Sequence, residues 1–344
     1  MKNWTFKKWN NILGWAVFGI ALVTYLSTIE HKFSFWDTGE YISSAVKLEV
    51  THAPGAALFQ LVGAVAAILS FGNEAYYSLI INAMSALFSA FTILFLFWTI
   101  THLVRRILNK EMEELSSAEM ISVLFSGVIG SLAFTFSDTF WYSAVEGEVY
   151  SMASMFIALV VWLITKWENE YHDSDSQRWI ILIFFITGLS VGVHMMVMLA
   201  VPAVCFIYYA RNYKFTWKNF IIANFITLGV LAFVFKGIFP IVMRLFGKSE
   251  IFFVNSIGLP FHSGTIIAFI ILVAFCYYII RYTRKTKNHL YQTIALSVVY
   301  MIIGFSCWMM IPIRANANPP MNLNNPDTAI GMLDYYNREQ YGDW

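Results

Sequence analysis

Ten stretches of apolar residues, joined by short polar connections, constrain this chain more than anything else in it. They lie near residues 11–29, 57–71, 77–103, 120–136, 150–165, 179–192, 194–210, 219–239, 265–280 and 291–311. Hydrocarbon offers no partner for a backbone N–H or C=O. Segments of this kind therefore cross a membrane as helices, whose hydrogen bonds close within the segment. Charged residues make up 12% of the chain and hydrophobic ones 58%, where soluble domains carry about 25% charged residues. The expected fold class is an all-α, polytopic integral membrane protein.

The 57–71 segment is short for a span, and segments of that length are often interfacial or re-entrant. Loop charge arbitrates, because cytoplasmic loops are enriched in Lys and Arg. If 57–71 does not cross, 15 of the 22 basic residues fall on the cytoplasmic side; if it does, only 8 do. The first arrangement predicts about nine transmembrane helices, the N-terminus in the cytoplasm and the C-terminus outside. Interfacial helices then occupy the first external loop. The pair 179–192 and 194–210 is compact for two crossings, and the Gly192-Val193-His194 break between them is read as a tight outer turn. A transmembrane domain is thus expected over 1–311, with an external loop at 30–56, an interfacial helix at 57–71, and a tail over 312–344. The first half of that Asn- and Pro-rich tail reads as an extended loop. Its end, Tyr-Gly-Asp-Trp, shows no evident terminal element and suits a chain that continues into a further region.

The net charge of +1 and the scattered bases give no reason to expect nucleic acid. Cys205, Cys276 and Cys307 lie in apolar segments and suggest neither a disulfide framework nor zinc. Lys7 and Lys8 precede the first apolar segment and no small-residue cleavage site ends it, so it reads as a retained anchor.

The informative polar residues fall on the external side. Asp37-Thr-Gly-Glu40 has the spacing of a capping box, with Asp at the N-cap and Glu at N3. The same carboxylates, beside the bilayer where charge is costly, are candidates for chemistry. His52-Ala-Pro-Gly55 reads as a turn, or as a site at which His52 meets a phosphate or positions a substrate. Glu146 and Glu148, followed by Tyr150, start the span near 150–165; two carboxylates at i and i+2 do not share a helical face, so one faces a cavity. Negative charge at a helix N-terminus accounts for them equally well. His194 is a lone histidine at membrane depth, and Arg314 follows the last span. Arg314 is either an interfacial anchor or a counter-charge for a lipid phosphate, whose oxygens suit a guanidinium.

Taken together, Trp-Asp37-Thr-Gly-Glu40-Tyr, His52-Ala-Pro-Gly55, Ala-Val-Glu146-Gly-Glu148-Val-Tyr150 and Gly-Val-His194-Met resemble the GT-C superfamily of polyprenyl-phosphate-sugar-dependent glycosyltransferases. Within it they are similar to the bacterial and animal branch related to a protein O-mannosyltransferase of plexin-type receptors. Many relatives read His-Pro-Pro-Gly where this chain has Ala53. The resemblance implies a GT-C-like fold with a catalytic first external loop. It also implies transfer of a hexose, mannose as first choice, from a polyprenyl-phosphate donor to Ser or Thr hydroxyls of an exported protein. The donor is then a membrane lipid, and the site lies on the periplasmic face of a bacterial inner membrane. On this reading Asp37 is the base of an inverting reaction, with Glu40 and Glu148 as further catalytic candidates. His52, Glu146, Tyr150, His194 and Arg314 bind substrate. No cofactor is required, and a divalent metal has room in the scheme without being demanded by it. Two rivals remain: a transporter or lipid flippase using the same acids, and an assembly subunit that presents the tail. No inverted repeat of broken helices supports the first.

Overall fold

The computed structural model describes residues 2–173 and 175–342. Asp343 and Trp344, the last residues of the expected tail, lie outside the described residues. Helices carry nearly all the regular structure, in chain order α1 (Lys2–Ser27), α2 (Thr38–Lys47), α3 (Ala57–Ala67), α4 (Tyr77–Ile107) and α5 (Ser117–Thr135). There follow α6 (Asp138–Ala144), α7 (Val149–Asn169), α8 (Gln177–Ser190), α9 (Val201–Asn212) and α10 (Trp217–Ala232). The last are α11 (Phe239–Ile251), α12 (Ser263–Thr286), α13 (His289–Phe305), α14 (Met310–Ala315) and α15 (Ala329–Asn337). Among the described residues the only β-type pairing is an isolated parallel bridge between Val50 and Asn322.

Eight helical runs among the described residues are long and apolar enough to cross a membrane. The first, Phe6–Ser27, has 22 residues and spans about 33 Å at 1.5 Å per residue, against about 30 Å of hydrocarbon. Two expectations change. The first concerns α8, counted above as a span: it has 14 residues, or about 21 Å, which is short of the hydrocarbon thickness. Second, the helix expected to end near 239 continues as one 40-residue run, Trp217–Ser256. Pro240 sits in its first α11 turn, directly after a π-helical passage over Phe233–Ile238. The widened turn accommodates a ring that clashes with the carbonyl four residues back and brings no N–H. The short apolar stretch Ala57–Ser70 is separate from the long runs, in keeping with the interfacial helix expected there.

The chain divides into two compact units, Met1–Ile42 with Val65–Asn169, and Ser43–Ala64 with Glu170–Trp344. In the first, α1, α5 and α7 pack around α4. Its core joins Val17, Ala21 and Tyr25 of α1 to Ala86, Ala90, Ile93 and Phe97 of α4, and to Phe140 and Ala144 of α6. Small residues on α1 and α4 let the helices approach closely, the usual solution where lipid supplies no hydrophobic drive. Ser116 and Glu119 close a full capping box at the start of α5.

In the second unit α8 packs along α13, and α11 packs on α12 and α15. Phe239, Met301, Phe305, Trp308, Ile311 and Tyr335 form the centre of its core. Glu250, 1% exposed, accepts hydrogen bonds from the His262 and Thr265 N–H groups and from the Thr265 hydroxyl. That satisfies donors at the start of α12 which no residue of the helix itself can. The tail differs from its expected form in one respect. Residues 316–328 are irregular, but α15 follows and is capped by the Thr328 hydroxyl, which accepts from Gly331 N–H.

Candidate active site

In the first unit the site is built on the turn into α2. The Asp37 carbonyl accepts the Tyr41 N–H at 2.9 Å, which makes Asp37 the N-cap residue and puts Glu40 in the first helical turn. Carboxylates there are favoured by the helix dipole. Asp37 is exposed and Thr38, beside it, is fully buried. The Thr38 hydroxyl donates to Phe35 O at 3.0 Å and lies 3.3 Å from the Ser34 hydroxyl. Ser34 in turn donates to Glu146 Oε2. The loop after α1 is thereby fastened to the turn before α7.

Asn82 of α4 anchors the same loop. Its side-chain amide donates to the carbonyls of Glu30 at 2.6 Å and Lys32 at 2.9 Å. Gly147 packs beside it, and a Cβ there would stand 3.0 Å from Asn82 Oδ1, from Ile42 and from Ile81. The Glu146-Gly147-Glu148 turn therefore lies close against α2 and α4, and a larger residue at its middle would need those side chains to give. Glu30 N–H also donates to Val145 O at 3.1 Å, and the Trp141 indole donates to the Thr28 hydroxyl at 2.8 Å.

Glu146 and Glu148 are both buried, 7% and 6% exposed. Glu148 Oε2 accepts the Val149 N–H at 3.2 Å, so the helix-start account of this residue holds. Burial raises the Glu146 carboxyl above its ordinary value, and the nearby charge of Glu30 adds to that, against the lowering effect of the Ser34 hydrogen bond. Tyr41 reports on the whole group. Burial first, then the charges of Glu148, Asp37 and Glu40 and the Tyr150 phenol, push its phenol far above 10. Asp37, Glu40, Glu148 and Tyr150 thus act on one buried phenol of the same unit, and Tyr150 itself is exposed.

His52, His194 and Arg314 belong to the second unit. His52 is half-buried in a turn closed by Gly55 N–H donating to His52 O at 2.9 Å, with a cis Ala53–Pro54 bond. Gly55 has φ +81°, and a Cβ there would lie 2.7 Å from the Tyr335 hydroxyl oxygen. That hydroxyl donates to Thr51 O at 2.5 Å and lies 3.2 Å from His52 O. Arg314 donates from Nε to Leu48 O at 2.6 Å and from Nη2 to Lys47 O at 3.3 Å. It is a cation on the last carbonyls of α2, a favourable place for one. His194 caps the 3₁₀ turn Met195–Ala200, its Nδ1 accepting the Met196 N–H at 3.1 Å. Burial, then the charge of Arg338, lowers its pKa and keeps the imidazole neutral. The Gly192 carbonyl beside it accepts Leu58 N–H at 2.7 Å, at the start of α3.

Three residues went unnoticed in the sequence. Tyr41 was read only as part of an apolar face, and Asn82 lies inside an apolar span, where a buried amide is the signal to look for. Glu49 is the third: it is 3% exposed, and its Oε1 has no hydrogen-bond partner among the described residues.

A family model, the N-terminal domain of protein O-mannosyl-transferase TMEM260, matches residues 37–217. The chain belongs to that family. The matched stretch opens on Asp37 and takes in Glu40, His52, Glu146, Glu148, Tyr150 and His194, but not Arg314. Among TMEM260 relatives, the chain is 28% identical over 176 residues to protein O-mannosyl-transferase TMEM260 of Mus musculus, covering 51% of this chain and 22% of that protein. It is 23% identical over 214 residues to protein O-mannosyl-transferase tmem260 of Dictyostelium discoideum, covering 59% and 24%. The chain spans less than a quarter of the length of these curated TMEM260 relatives. No solved structure matches it.

Proposed function

We propose that these residues form the membrane catalytic region of a protein O-mannosyltransferase that takes mannose from a polyprenyl-phosphate carrier and inverts the anomeric carbon. The printed names of the relatives support mannose and a protein acceptor. The observation that carries the reading is the grouping of Asp37, Glu40, Glu148 and Tyr150 about the buried Tyr41 phenol.

Asp37 is exposed at the start of α2, where an incoming Ser or Thr hydroxyl has access to it. Its carboxylate takes the hydroxyl proton while the hydroxyl oxygen bonds to the anomeric carbon. The bond from that carbon to the phosphate oxygen breaks, and the lipid phosphate leaves with the electron pair. Positive charge builds on the sugar in such a transition state. Fixed negative charge from Glu40 and Glu148 stabilises it without reorganisation at the moment of reaction. Glu146, bonded to Ser34, holds the loop, and Tyr150 offers an exposed ring at the substrate side. In the second unit, His52 lies on the segment that Arg314 of α14 clips through the Leu48 and Lys47 carbonyls, and the two are assigned to recognition of the carrier phosphate. Lys2, Lys7 and Lys8, before the apolar part of α1, favour a non-cytoplasmic side for the Asp37 face.

The test is transfer of labelled mannose from polyprenyl-phosphate mannose to Ser/Thr-rich peptides by protein in nanodiscs. A general base contributes about 10²–10⁴-fold, so Asp37→Asn is expected to lose that much in kcat/KM. Full transfer by a folded Asp37→Asn variant would remove Asp37 from the base role.

A further inference from the structure

A second polar cavity lies in the first unit, away from Asp37. It holds about 360 Å³ and is walled by the start of α1, the end of α4 and the end of α7. Lys7, Asn10, Trp98, Arg105, Trp162 and Lys166 are among its lining residues. Twenty residues of α1 separate Lys7 from Ser27, about 30 Å, so this cavity opens at the other membrane face from the loop that carries Asp37.

The walls present cations and no carboxylate. Arg105 is 3% exposed and held in place, donating to Asn169 Oδ1 at 2.7 Å and to Glu111 Oε2 at 3.1 Å. Lys166 Nζ lies 5.8 Å from the centre of the Trp162 ring, and Lys7 is exposed at the rim. Two buried polar atoms of the lining residues have no hydrogen-bond partner among the described residues: Asn10 Oδ1, an acceptor, and Trp98 Nε1, a donor. Neither atom has accessible surface, so an occupant is selected by the cations: it brings negative charge and hydrogen-bond acceptors. Beside the cavity α1 turns Trp9, Ile12 and Trp15 outward, each exposed. Such residues suit the boundary between headgroups and acyl chains.

We propose that this cavity binds the headgroup of an anionic glycerophospholipid, such as phosphatidylglycerol, drawn from the leaflet opposite the Asp37 loop. The phosphate takes the cationic rim, and the acyl chains lie along the outward face of α1. The proposal does not depend on the transferase reading. A soluble phosphate ester shares the headgroup chemistry, and the outward aromatic face of α1 favours the lipid source.

Native mass spectrometry on the full chain tests it, with dioctanoyl-phosphatidylglycerol, dioctanoyl-phosphatidylcholine and glycerol 3-phosphate as separate probes. Saturable binding of the phosphatidylglycerol, with a clear preference over phosphatidylcholine, is expected. A lysine near an anionic lipid surface contributes about 1 kcal/mol, so Lys7→Gln with Lys166→Gln is expected to weaken binding about 30-fold. Asp37→Asn leaves it unchanged. Lys7→Gln alone, at an exposed position, keeps the test readable if the double variant does not fold. Glycerol 3-phosphate binding as tightly as the lipid would overturn the lipid source. Binding that never saturates, or that ignores Lys7→Gln, would leave only a water-filled cavity and overturn the proposal.

Discussion

In the first unit, the carboxylates beside Tyr41 and the one beside His102 sit at opposite ends of the same helices and are held by different means. At the His102 end, acid is matched with base. Glu168 Oε2 lies 2.7 Å from His102 Nε2, and its Oε1 lies 3.0 Å from Arg106 Nε. Asn169 fixes the tautomer. Its Oδ1 accepts from Arg105, so its Nδ2 is the atom facing His102 Nδ1 at 3.2 Å, leaving the proton on Nε2 for Glu168. At the Tyr41 end, Glu146 and Glu148 bond to a serine hydroxyl and a backbone N–H, and negative charge accumulates around a phenol. One end of the bundle uses charge as cement. The other gathers carboxylates around a buried phenol.

The comparison can be broken at either end. The largest effect is expected from Asp37→Asn, with the loss of about 10²–10⁴-fold in transfer given above and an unchanged melting temperature. Glu168→Ala is expected to do the reverse. Removing one partner from a buried pair (side chains 6% and 13% exposed) costs about 3 kcal/mol, read as a fall in thermal stability while the Tyr41 titration stays put. Gly55→Ala tests the second unit and is expected to cost about 2 kcal/mol, because a side chain at φ +81° is strained and meets the Tyr335 hydroxyl. Glu148→Gln sharpens the electrostatic claim. Loss of its charge makes the phenolate easier to form, so the Tyr41 pKa falls, as read by ultraviolet absorbance at high pH.

The smallest effect concerns pH. The Glu146 carboxyl is raised in the folded state, so the folded protein binds that proton more readily than the unfolded chain. Its contribution to stability is fully present below the ordinary carboxyl value and is lost as pH rises through the folded value. Glu146→Gln is expected to flatten that part of the stability profile measured by thermal melts.

Local physics made much of this legible. Hydropathy placed α4, α5 and α7 within a few residues, though α1 begins at Lys2, well before its apolar stretch at 11–29, and the Asp-Thr-Gly-Glu spacing located the start of α2. α8 has the 14 residues that its short apolar stretch suggested, and apolar character alone does not distinguish a span from a shorter packed helix. The apolar stretch ends at 239, yet a π-helical passage carries the helix on through Pro240. The rest depends on contacts remote in sequence. Ser34 meets Glu146 across 112 positions, and no periodicity announces it. Arg314 likewise spends two donors on backbone carbonyls 266 and 267 positions earlier, contacts that no local pattern announces.

The clip around the Lys47–Gly55 segment also sets an order of events during synthesis. Val50 exchanges backbone hydrogen bonds with Met321 and Leu323, and the Tyr335 hydroxyl bonds Thr51 from 284 positions downstream. At about 5–20 residues per second, the ribosome delivers that tyrosine on the order of 15–60 s after the threonine. For that interval the segment has emerged without the partners that shape it. Whatever binds this loop in a newly made chain meets a different surface from the one in the finished protein.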